Sequence, residues 1–97
     1  MRNESSSEDG WRAFIKLCSR FKEKELSELF DLFMTLEEKK DVGDRFQILQ
    51  ALIEEKLTQR EIAEKLKVSI SKITRGSNAL KIISKNLREA LKKQMLS

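Results

Sequence analysis

A chain of 97 residues with no proline, three glycines, 37% charged and 39% hydrophobic side chains has room for one small domain, and its lack of turn formers argues against a sheet-rich fold. A single cysteine excludes an intrachain disulfide, and the absence of histidine excludes the usual zinc sites and Cys–His catalysis. The net charge of +4 is unevenly placed: residues 1–55 carry 9 basic and 13 acidic side chains, net −4, whereas residues 56–97 carry 11 and 3, net +8, the footprint of a polyanion binder.

The opening MRNESSSEDG is polar, unlike a signal peptide, and reads as a disordered arm over residues 1–8 before a single domain over 9–97. No apolar run approaches the roughly 20 residues that span a bilayer, so no membrane partner is expected and the cytoplasm is the default location. Trp11, Phe14, Ile15, Cys18 and Phe21 fall on one helical face, predicting a first helix over about 9–22 with Cys18 as a structural thiol. Leu26, Leu29, Phe30 and Phe33 repeat the spacing for a short second helix over about 25–33. Thr35 and Glu38 form a capping box that opens a third helix reaching about Lys56. In it Val42, Phe46, Leu49 and Ile53 point inward, and Gly43 marks a close backbone approach.

A second capping box, Thr58 with Glu61, opens a helix ending at Leu66. Lys67-Val68-Ser69 connects it to a helix beginning at Ile70, and Ser84 caps a last helix with Ile83, Leu87, Leu91 and Met95 on one face. The fold class is therefore all-α, with six helices. Several are short for a chain with so small a core, which points to a symmetric homodimer. The adjacent acids Glu37-Glu38 and Glu54-Glu55 do not share a helix face, so they read as solvated surface rather than an acid/base pair. No enzyme is expected, and no cofactor or metal.

The segment 59–81 has the pattern of a helix-turn-helix. Ile62, Leu66, Val68 and Ile73 take its inward positions, and Ala63 allows close helix packing. Lys67 stands in the turn where glycine is usual. The first helix of such a motif braces on the phosphate backbone and the second enters the major groove. Gln59, Arg60 and Lys65 suit the backbone, while Ser69, Ile70, Ser71, Lys72 and Thr74 lie where base edges and phosphates are met. The expected polyanion is double-stranded operator DNA. A stretch within the second helix, KITRGSNALK, is odd for a helix, because Gly76 costs roughly 1 kcal/mol there relative to alanine.

With Trp11 and Phe14 early in the chain, LFMT at 32–35, GDR at 43–45, QRE at 59–61 and TRGSN at 74–78, the sequence resembles the Trp repressor family over nearly its whole length. The resemblance implies an intertwined all-α homodimer that represses tryptophan-biosynthesis or uptake genes when L-tryptophan binds as corepressor. It implies that Arg45 and Arg75 sandwich the indole ring, as planar guanidinium groups can, and that Arg75 also meets the ligand's carboxylate. The backbone carbonyls of Leu32 and Met34, with Thr35, would hold the polar end of the amino acid, and Gly76 would let the ring approach the helix backbone. Both subunits would contribute.

Three positions depart from the family's pattern. Ala79 stands where a serine helps to bind the ligand's amino group, Lys72 replaces a threonine, and Ala63 replaces a lysine. The departures keep open a related DNA-binding regulator that responds to another ligand or to none. A protein-interaction dimer using the basic face of the last helix (Lys85, Arg88, Lys92, Lys93) is a third reading, distinguished by indifference to Ser71, Lys72 and Thr74.

Overall fold

The computed structural model describes residues 6–96 and contains six helices and no strand among them, the all-α class expected. They are α1 (Ser6–Cys18), α2 (Glu23–Phe33), α3 (Leu36–Glu54), α4 (Gln59–Leu66), α5 (Ile70–Ile82) and α6 (Lys85–Met95). Within one chain they group into two compact units, Met1–Lys39 and Lys40–Ser97. The disordered arm expected over 1–8 is corrected in part: Ser6, Ser7 and Glu8 already belong to α1, and residues 1–5 lie outside the described part.

In the N-terminal unit, α1 stops at Cys18 rather than near residue 22. The Ser19 hydroxyl donates to the Lys16 carbonyl at 2.6 Å, while the Arg20 and Phe21 amides each reach back three residues, to Leu17 and Cys18. This tighter winding closes the last turn. Helix α2 starts two residues earlier than expected, with the Lys22 amide donating to the Glu25 carboxylate. Phe14 packs its ring against Trp11, Phe30 and Phe33, with centroids 5.8, 5.9 and 4.8 Å apart. Even so, no residue of α1 or α2 is fully buried. The predicted capping box at the head of α3 is present: Thr35 Oγ1 accepts from the Glu38 amide at 3.1 Å, and Glu38 Oε1 accepts from the Thr35 amide at 2.9 Å. Lys39 pairs with Asp31.

The C-terminal unit has the true core. Ile48, Ile62 and Ile73 are buried together, with Ala51, Leu52, Ala63, Leu66 and Val68 packed around them. Two expectations for α3 fail. Val42 and Phe46, read as inward, are about half exposed in the single chain, and Ile48 holds the central place instead. Gly43 does not mark a close approach, since a side chain there would meet nothing within 4 Å. Helix α3 ends at Glu54 because Glu55 takes a left-handed conformation, φ 59°. At the other end of the unit, the Gln50 amide donates to the Met95 carbonyl at 3.0 Å, and the Arg88 guanidinium donates to the Leu80 carbonyl, tying α6 to α3 and α5.

Candidate ligand cavity and nucleic-acid interface

Helices α4 and α5 pack on one another through Ile62 and Ile73, neither of which retains solvent contact. The hinge between them is fixed by hydrogen bonds at both sides. The Thr58–Glu61 capping box opens α4. Lys67 closes it in the left-handed conformation, φ 58° and ψ 46°, with the Val68 amide reaching back to the Ala63 carbonyl at 3.1 Å. This is the geometry that glycine normally supplies. Ser69 then caps α5, accepting from the Lys72 amide at 3.3 Å. The result is two helices joined by three residues, with Ala63 at their close approach.

The polar residues predicted to face outward are exposed or nearly so. Arg60, Ser69, Ile70, Ser71, Lys72 and Thr74 are exposed and Gln59 is half-buried. Two of these do internal work as well. The Thr74 hydroxyl donates to Gln59 Oε1 at 3.1 Å, joining the start of α4 to the second turn of α5. Ser69 and Ser71 share a hydrogen bond of 3.1 Å beside the cap. The first turn of α5 holds no acidic residue and includes Lys72, although acids are the side chains that a helix N-terminus favours.

Behind this surface, between α3 and α5, lies a cavity of about 420 Å³, within the range of small-molecule sites. Each helix lines it with residues at i, i+3, i+4 and i+7. On α3 these are Asp41, Asp44, Arg45 and Ile48, with Leu49 beside them; on α5 they are Lys72, Arg75, Gly76 and Ala79. The structure thus brings Arg45, Arg75, Gly76 and Ala79 to one cavity. Leu32, Met34 and Thr35 belong to the other unit. Leu32 is 78% exposed in the single chain. Thr35 Oγ1 already accepts the α3 cap, which leaves one lone pair and the hydroxyl hydrogen.

Gly76 has a role apart from any ligand. A Cβ there would sit 3.1 Å from Ile48 Cγ2 and 3.4 Å from Leu52 Cδ1. The glycine lets α5 lie against α3, which accounts for its place in a helix. Asp41, Asp44 and Lys72 are cavity residues not foreseen as such. Their signal was in the sequence: 41, 44, 45 and 48 share one helical face, as do 72, 75, 76 and 79. Asp44 Oδ2 also pairs with Lys40 at 3.0 Å. The hydrogen bond and the charge of Asp44 raise the Lys40 pKa above the ordinary lysine value. No cluster of metal-ligating side chains occurs among the described residues, and none of their helices is long and apolar enough to cross a membrane.

The profile of the Trp repressor protein family matches residues 9–95. The chain belongs to the Trp repressor family. It is 53% identical over 96 residues to a Trp operon repressor homolog of Chlamydia trachomatis serovar D, covering 98% of this chain and all of that protein. A Trp operon repressor homolog of Chlamydia caviae is 51% identical over 90 residues, 92% of this chain and 89% of the relative. One from Actinobacillus succinogenes is 38% identical over 92 residues, 94% and 91% of the two chains. Members of the Trp repressor family are regulators rather than enzymes, and the resemblance carried by TRGSN is to this family.

Proposed function

We propose that this protein is a transcriptional repressor of tryptophan biosynthesis or uptake genes, acting as a homodimer on double-stranded operator DNA with L-tryptophan as corepressor. The observation that carries the reading is the shared helix α5: its first turns belong to the helix-turn-helix, and its opposite face, with Arg75 and Gly76, closes the cavity against Arg45 of α3. A ligand held there touches the helix that reads DNA. Indole stacks on the guanidinium planes of Arg45 and Arg75, and Gly76 and Ala79 leave room beside the helix. Leu32 and Met34 offer their carbonyls, and Thr35 its hydroxyl, to the ammonium end from the second subunit.

The helix start supports the DNA assignment. Lys72, in a first turn without an acid, is better accommodated once a phosphate arrives, because helix N-termini and lysines both attract one. Gln59, Arg60 and Ser69 meet the backbone, and Ile70, Ser71, Lys72 and Thr74 the major groove. The second copy is required to place two recognition helices about 34 Å apart on one DNA face. The exposed apolar residues of the N-terminal unit supply the surface for it. Such a protein works in the cytoplasm, beside the DNA. Tryptophan shifts the population toward the binding-competent arrangement by as much as it prefers that arrangement.

The test is operator binding to a tryptophan-operon control region, by gel shift at fixed salt, across a tryptophan titration. Retardation that strengthens with tryptophan, and weakens steeply with salt, is the expected result. Retardation indifferent to tryptophan would leave a DNA-binding relative with another ligand or none, and no retardation at all would sink the proposal.

A further inference from the structure

The α3–α5 cavity is charged on both rims and apolar on its floor. The α3 rim carries Asp41 and Asp44 together with Arg45, the α5 rim carries Lys72 and Arg75, and the floor is Ile48, Leu49, Gly76 and Ala79. No floor side chain can hydrogen-bond, so polar contacts from the cavity's side chains must come from the rims. A ligand bearing only an anion would face two carboxylates, and one bearing only a cation would face three bases. A zwitterion satisfies both. Resting on the proposal that the cavity binds an amino acid, whose carboxylate the family resemblance assigns to Arg75, we infer that Asp44 receives the ligand's ammonium group, with Asp41 adding to the negative field.

Asp44 is suited to this. Its side chain is 25% exposed, against 74% for its partner Lys40, and the pair uses Oδ2 at 3.0 Å. Among the described residues Oδ1 has no hydrogen-bond partner. An ammonium has three hydrogens, so Asp44 adds to the carbonyls of Leu32 and Met34 rather than displacing them. The arrangement also gives the ligand a mechanical role: its two charged groups bridge α3 to the second turn of α5, next to the DNA-facing residues. Discrimination follows. A molecule lacking the amino group leaves Asp44 beside an indole with nothing to neutralise.

The experiment is isothermal titration of the full chain and its Asp44→Asn variant with L-tryptophan, tryptamine and indole-3-propionate. Asp44→Asn should weaken L-tryptophan and tryptamine about tenfold, as loss of one charge-assisted hydrogen bond does, and leave indole-3-propionate unchanged or tighter. A thermal melt checks that the variant folds, as expected for a same-size change at a side chain that is 25% exposed. Equal losses for all three ligands with Asp44→Asn, or none, would overturn the charge assignment. So would an unmodified protein that binds indole-3-propionate as tightly as L-tryptophan. A protein that binds L-tryptophan but ignores Asp44→Asn keeps the proposed function and loses this inference; a protein that binds no amino acid loses both.

Discussion

In the C-terminal unit Ile62 and Ile73 lose all solvent contact and Ile48 nearly all, whereas in the N-terminal unit Trp11, Phe14, Phe30 and Phe33 gather without any residue of α1 or α2 becoming buried. Both segments are built from helices that carry apolar side chains at helical spacing. What differs is whether the stripe finds its partner within the chain. Residues 40–97 contain three helices that face one another across the isoleucines, and a chain segment closes on itself. Residues 6–39 offer two short helices, and Trp11 remains 60% exposed. The contrast teaches that the recognition half can be held together locally, while the aromatic half awaits a surface supplied from elsewhere, on our proposal a second copy.

The sharpest way to break this comparison is to empty the C-terminal core. Ile73→Ala removes a side chain that touches no solvent, and such truncations cost about 2–5 kcal/mol. Urea unfolding followed by circular dichroism should show a loss in that range, the same at high and low protein concentration if the damage is confined to the core of one chain. A loss below about 1 kcal/mol, the level expected of surface positions, would mean that the isoleucine cluster is not the core it looks like. Trp11→Ala asks the opposite question. In a lone chain, truncating a side chain this exposed should cost little. If a second copy covers it, the cost rises to about 2 kcal/mol, roughly half that of a fully buried aromatic, and the unfolding midpoint becomes concentration-dependent. A midpoint independent of concentration in both proteins would remove the dimer from the account.

Gly76→Ala probes the joint between the cavity and the core. Alanine gains about 1 kcal/mol in helix preference, but its Cβ would lie 3.1 Å from Ile48 Cγ2. Ile48 is 2% exposed and hemmed in, so it has little space to retreat. Overpacking costs typically about 1–3 kcal/mol, leaving a net loss of about 1 kcal/mol in thermal unfolding. A more stable variant would show that the gap between α3 and α5 is compliant.

What could be read from residues alone follows from how local each signal is. The boxes at Thr35–Glu38 and Thr58–Glu61 and the cap at Ser84 are local hydrogen-bond patterns, and all three are present. The inward set of the helix-turn-helix is nearly as local, because α4 and α5 are joined by three residues, and Ile62 and Ile73 are buried as expected. The inward face of α3 was not legible in this way. Its nineteen residues carry apolar side chains at 36, 42, 46, 48, 49, 51, 52 and 53, wide enough round the helix to face two directions. Periodicity cannot say which neighbour each direction meets. The end of α1 was lost to a hydroxyl donating backward from Ser19, a contact with little sequence signature. As for the cavity, the arginines came from family resemblance, whereas Asp41, Asp44 and Lys72 became cavity residues only once α3 and α5 were placed side by side.

The smallest expected effect concerns the turn that makes the recognition half self-sufficient. Lys67 adopts φ 58° and ψ 46°, a conformation that costs an L-residue roughly 1–2 kcal/mol and glycine almost nothing. Glycine gives back part of that gain by loosening the unfolded chain, an effect of about 0.4–1 kcal/mol. Lys67→Gly should therefore raise stability by about 0.5 kcal/mol, seen as a modestly higher urea midpoint with an unchanged slope. The Lys67 side chain is exposed, so the strained backbone alone sets the sign. If the variant were instead less stable, the lysine side chain would have to contribute something to the turn beyond its backbone, and the compact C-terminal unit would owe more to its surface than the buried isoleucines suggest.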